Sequence, residues 1–297
     1  MRAQRVRACA VAALAVAGLV VAGGPATAHS SGHVSRGSSH EVHFGHGVSW
    51  PDHRHPVKSH HTPKVGTPKT VATGLAGPLT FTVGPKGLYV GQAFAGVVSK
   101  IPTKGAPSVV GTAAPGADVA GVGVSHGVLT WTERSGDEGP AVTASLLHRQ
   151  KGSRTTTVDL LAYEKVANPD QVNTYGFRDL DASCSAQLDP MFQTYTGAVD
   201  SHAYGTLDSK GATYVADAGA NAILKVNAKG KVSTVAVLGA VPVKVTADAA
   251  AGFGLPDCVV GHKFWFEPVP TDVEQGPRGW LYVSLLPGGP EDGSLGA

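Results

Sequence analysis

Three stretches of this chain repeat one pattern, and the repetition limits its fold more than any other feature. PLTFTVGPKGLYVGQ (Pro78 to Gln92), HAYGTLDSKGATYVAD (His202 to Asp217) and PTDVEQGPRGWLYVSL (Pro270 to Leu285) each read as a strand, a tight turn and a second strand carrying LYV or TYV. The turns close on Gly87, Gly211 and Gly279, and a weaker copy from Asp118 to Glu133 has Gly127 at its turn. Glycine permits positive φ at such turns, and β-branched and aromatic residues suit the pleated flanks. Two copies continue for two further strands. ANAILKVNA turns at Lys229-Gly230 into KVSTVAVL, and GVVSKIPT turns at Lys104-Gly105 into APSVVGT.

Four antiparallel strands in about 40 residues make one blade of a β-propeller, in which neighbouring blades hide each other's apolar faces. The expected fold is therefore all-β, a propeller occupying residues 69–297. Gly87 to Gly127 spans 40 residues, one blade, whereas the next intervals of 84 and 68 residues each hold an insertion. In the first insertion, Val158, Leu161, Ala162 and Lys165-Val166 are spaced for a short helix, so one insertion is expected to be partly helical. The fourth blade has two strands before the sequence stops at Ala297. About three and a half blades are present, and the sequence reads as part of a longer chain lacking about 100 residues, at about 40 per blade.

The first residues give an address. Arg2, Arg5 and Arg7 precede an apolar run from Ala8 to Gly24, and Pro25-Ala26-Thr27-Ala28 offers small residues for cleavage before His29. That order is the secretory pattern, so residues 1–28 are expected to be a signal peptide and the mature protein to be extracellular, without a stable membrane anchor. Cleavage would remove three arginines and no acids, taking the formal charge from +2 to −1. A near-neutral chain gives no electrostatic reason to expect nucleic acid as a partner. Cys184 and Cys258 remain, and an even count in an exported chain reads as a disulfide joining the two insertions.

Residues 29–68 are rich in His, Ser, Gly and Pro and poor in large apolar side chains, the composition of a disordered tail. Within it His40, His43 and His46 recur every third residue, followed by His53, His55, His60 and His61. Neutral imidazole binds Zn²⁺, Cu²⁺ or Ni²⁺, which makes metal sequestration by the tail one reading of function.

The second set of candidates comes from aligning the repeats. Pro78, Asp118, His202 and Pro270 fall at equivalent starts of innermost strands, and Thr80, Ala120, Tyr204 and Asp272 fall two residues on. Asp200, His202, Tyr204, Glu267 and Asp272 are thus expected near the channel mouth, where propellers hold ligands. Their chemistry suits a hard cation such as Ca²⁺ on the propeller axis, or activation of water. The competing role is turn capping and strand-entry hydrogen bonding. No nucleophile elbow, zinc-protease helix, P-loop or dinucleotide fingerprint is present.

The motifs YTGAVDSHAYG, TYVADAGANAILKVNAKGKVSTVAVL, GLPDCVVG and FEPVPTDVEQGPRGWLYVSLLPGGPEDGSLGA resemble the ScyD/ScyE family of exported bacterial proteins. So do VATGLAGPLTF and LLAYEKVANPDQVNTYGFRDLDASC. The resemblance implies a six-bladed propeller akin to the NHL and senescence-marker/gluconolactonase superfamilies, and it supplies no catalytic residues. It also implies that Asp217, in YVADAGANAI, is a repeat aspartate bracing a turn. Related lactonases hold an axial cation through a Glu at the start of the first blade. Here that place reads TGLAGPLTF, with no acid. The leading expectation is a non-catalytic scaffold for a small molecule or an extracellular protein. The alternatives are a metal-dependent hydrolase or lactonase at the channel, and sequestration by the tail.

Overall fold

The computed structural model describes residues 66–136 and 141–288. The expected signal peptide, nearly all of the expected tail and its candidate ligands His40, His43, His46, His53, His55, His60 and His61 lie outside the described residues.

Blade one comprises β1 (Pro78–Gly84), β2 (Gly87–Gln92), β3 (Val97–Pro102) and β4 (Ser108–Thr112), paired in that order. Blade two repeats it with β5 (Asp118–Ser125), β6 (Val128–Gly136), β7 (Val142–Lys151) and β8 (Arg154–Asp159). The first insertion then supplies α1 (Leu160–Ala167), β9 (Thr174–Phe177), α2 (Ala182–Ser185) and β10 (Tyr195–Thr196). Blade three is β11 (Ala203–Ser209), β12 (Ala212–Asp217), β13 (Ala222–Val226) and β14 (Val232–Val237). The second insertion carries β15 (Val241–Lys244), α3 (Ala247–Gly252) and β16 (Lys263–Phe266), and the hairpin β17 (Pro270–Gln275) with β18 (Leu281–Leu285) follows.

The hairpins form for the reasons visible in their turns. Lys210 and Gly211 have φ of 50° and 77°, the double-positive geometry that matches strand twist in a two-residue loop. Each first strand also carries a register shift near its start: Pro78/Thr80 in β1, Val119/Val122 in β5, Ala203/Gly205 in β11 and Pro270/Asp272 in β17. β11 begins at Ala203, the counterpart of Pro78 and Pro270, so His202 precedes the strand instead of opening it.

These first strands pack in series, β1 on β5, β5 on β11 and β11 on β17. Sheets fanning from consecutive first strands are the defining geometry of a β-propeller. Backbone approach is close enough that a Cβ on Gly205 would lie 2.8 Å from Asp272 Cα. Apolar layers fill each gap. Val98, Val119 and Trp131 sit between blades one and two, Leu147, Val215 and Leu224 between two and three, and Ala216, Ile223 and Val273 beside the last hairpin.

The two insertions are a single structure. Their strands pair in the order β10-β9-β16-β15, so a fifth sheet is knitted from segments on either side of blade three. Phe177, Leu188, Val245, Ala249 and Val259 form its core with Phe264 packed against it. The Cys184–Cys258 disulfide joins the segments across 74 residues. One expectation needs correction here, since the second insertion is helical as well as the first. Thr246 caps α3 by accepting from the Ala249 amide at 3.1 Å, and alanines fill the turn that follows.

Candidate functional site

Polar chemistry concentrates where blade three meets the insertions. Asp217 ends β12 and is fully buried. Its Oδ1 accepts from the His202 and Ala220 amides at 2.7 and 3.3 Å, and its Oδ2 from Ser201 Oγ at 2.6 Å. Ser201 Oγ also pairs with Ser145 Oγ of blade two at 2.8 Å. One carboxylate therefore braces the entry to β11, the exit from β12 and the neighbouring blade. Burial pushes its pKa up to about 6, the three bonds working against that shift and the charge of Asp200 adding to it.

Asn221, with φ of 47°, turns the chain into β13. Its Nδ2 donates to Asp170 Oδ2 at 2.9 Å and to Glu267 Oε2 at 2.8 Å, while its Oδ1 accepts from the Val269 amide at 3.0 Å. Tyr175 OH donates to Asp170 Oδ2 at 3.0 Å, and Tyr195 OH to Glu267 Oε1 at 2.8 Å. The two tyrosines are cross-strand partners on β9 and β10. Burial drives both phenols well above the ordinary tyrosine range and raises Asp170 to about 6.

Glu164 lies on the inner face of α1, fully buried. Neither of its carboxyl oxygens has a hydrogen-bond partner. Burial, followed by the charges of Asp217, Asp170 and Asp200, pushes its pKa up to about 9, so it holds a proton at neutral pH.

The five residues expected at the channel mouth fall into three settings. His202 and Tyr204 form one, their rings edge to face at 5.6 Å, with Asp200 two residues earlier and 3.7 Å from Arg134. Burial, with the charge of Arg134, lowers His202 to about 4 and keeps it neutral. Glu267 belongs instead to the Asn221 network. Asp272 lies exposed on β17 against Gly205. The site is also richer than expected, since Glu164, Asp170, Tyr175, Tyr195, Ser201 and Asn221 were not among the candidates. Among the described residues no three His, Cys, Asp or Glu side chains converge as a ready-made metal centre.

A separate network sits between blades one and two. His148 stacks on Trp131 at 4.8 Å and bonds Glu133 and Thr157, each at 3.0 Å. All three bonding partners stand on adjacent strands of one blade, which accounts for their meeting.

No family model matches the chain, and no curated protein does. Solved propeller enzymes are distantly similar. A streptogramin B lyase shares 17% identity over 70% of this chain, with a TM-score of 0.31. A virginiamycin B lyase from Staphylococcus aureus shares 16% over 69%, with a TM-score of 0.29 and 76% of its own length covered. A catalytically inactive form of that lyase with quinupristin also shares 16%, over 71% of this chain and 70% of its own, at 0.29. The chain spans 62% of the streptogramin B lyase.

Proposed function

We propose that this chain is an exported, non-catalytic binding propeller of the ScyD/ScyE type, presenting a ligand or protein surface where the insertions meet blade three. One observation carries the reading. Asp217, Glu267 and the Oδ2 of Asp170 are spent on backbone amides, a serine, an asparagine and tyrosines that tie separate chain segments together. Carboxylates so engaged rigidify a surface, whereas a general base needs a free lone pair facing substrate. The secretory pattern of residues 1–28 supports export, and no described helix is long and apolar enough to cross a membrane.

The test uses the mature protein in thermal-shift and pull-down screens against small extracellular molecules and proteins of its growth medium. Saturable binding that His202→Ala or Tyr204→Ala weakens, without turnover of the ligand, is the expected result. Lactone or ester hydrolysis that disappears with His202→Ala, Asp272→Ala or chelation would overturn it.

A further inference from the structure

The first insertion exposes an acceptor cluster to the protein interior with nothing to donate to it. Both Oε atoms of Glu164, Oδ1 of Asn168 and Oδ1 of Asp170 are buried and lack a hydrogen-bond partner. They lie within seven consecutive residues. α1 turns Glu164 inward beside Leu160 and Leu161, and Asn168, at φ 30°, ends the helix with its amide on the Glu164 carbonyl at 2.8 Å. The other atom of Asn168 and of Asp170 is anchored. Asn168 Nδ2 donates to the Gly197 carbonyl at 3.1 Å, and Asp170 Oδ2 takes the Tyr175 and Asn221 bonds. Asp170 lies on the same glycine, where a Cβ at Gly197 would come 2.0 Å from Oδ1. Anchoring one atom of Asn168 and of Asp170 leaves the other oxygen of each held and vacant of donors, beside the two vacant oxygens of Glu164.

Every unpartnered atom in this set is an oxygen. The proton that Glu164 carries in the cation-free protein is released as a cation binds, and the surroundings add negative charge. Asp200 and Asp217 reach Glu164 electrostatically, and Glu267 reaches Asp170. Burying such groups without a partner is costly, and the cost falls when a cation supplies the missing charge. Carboxylates mixed with an amide carbonyl are hard ligands. The set lacks the nitrogen and sulfur that favour zinc or copper, and its irregular arrangement suits calcium better than the strict octahedron of magnesium.

We propose that Glu164, Asn168 and Asp170 form a site for a divalent, oxygen-liganded cation, calcium by preference, which locks the first insertion against blade three. Two carboxylates and one amide oxygen leave the remaining coordination positions to water. The site is distinct from the His202–Tyr204 setting and stands whether or not that surface binds a ligand.

The full mature chain, stripped with chelator and dialysed, tests this by calorimetric titration with Ca²⁺ and by Tb³⁺ luminescence. Tail imidazoles do not compete for these hard ions. One Ca²⁺ per chain is expected, with a higher Tm and with Tb³⁺ emission sensitised through Tyr175. Glu164→Gln and Asp170→Asn should each bind about tenfold or more weakly, and Asp248→Asn, at an exposed position of α3, should be unchanged. Tyr175→Phe should dim the emission while leaving saturation in place, a check that holds even if an acidic-site variant fails to fold. Absence of saturable uptake by the wild type, or unaltered affinity in Glu164→Gln, would overturn the site.

Discussion

Arg149 of blade two grips Thr213 of blade three, its Nε and Nη2 reaching the same hydroxyl oxygen at 3.1 and 2.9 Å. The guanidinium also donates to the carbonyls of Val226 at 2.6 Å and Asn227 at 2.7 Å. A planar fork serves all three acceptors, which an ammonium at the end of a flexible stem does not. Arg149→Ala should lower the unfolding free energy by about 2–4 kcal/mol. Arg149→Lys should recover less than half of that. Urea titration of the three proteins measures both.

Asp217 offers a second point of attack. Removing its carboxylate strands two amides and a hydroxyl in a buried place, so Asp217→Ala should cost about 2–4 kcal/mol. Hydrogen exchange localises the effect, with the amides of His202 and Ala220 losing protection before those in the middle of β12. Equal protection in both proteins would show that the brace contributes little.

Acid sensitivity should follow from His202. Its folded pKa is near 4 against an ordinary 6.5, so between those values the unfolded chain binds the extra proton. The contribution is complete above pH 6.5 and is lost as pH falls through 4, a change of about 3 kcal/mol. Asp217, raised to about 6, acts in the opposite sense and loses stability as pH rises towards 6. The difference between wild type and His202→Gln isolates the histidine. Thermal unfolding from pH 7 to 4.5 should show the variant falling less steeply.

The disulfide closes a loop of 74 residues, and chain entropy puts its contribution at about 4 kcal/mol. Cys184→Ser with Cys258→Ser should lower Tm and open the insertions to protease before the blades. Digestion beginning in blade one would contradict this.

The blades were legible because their determinants are local. Lys210-Gly211 announces its own turn, and Ala222–Val226 is apolar on both faces because Ala222, Leu224 and Val226 pack against one neighbour and Ile223 against another. Gly87 opens β2 whereas Gly211 lies in the turn before β12, a difference of one position that the glycine pattern hides, which is why counting back from Gly211 lands one residue early, on His202. The acidic network was harder to foresee. Glu164 does fall on the stripe begun by Leu160 and Leu161, and that spacing was the available clue to its burial. Asn221 and Asp170 are 51 residues apart and meet only through the fold. The insertion sheet was hidden for a related reason: β9 and β16 are four residues each, too short for a period to emerge, and β9 contains Gly176.

Because one sheet takes strands from both sides of blade three, neither insertion can be gained, lost or transplanted by itself. A graft of either half would arrive with unpaired strand edges and a lone thiol. Residues 160–266 are one structural unit, and engineering within this architecture would have to move that span intact.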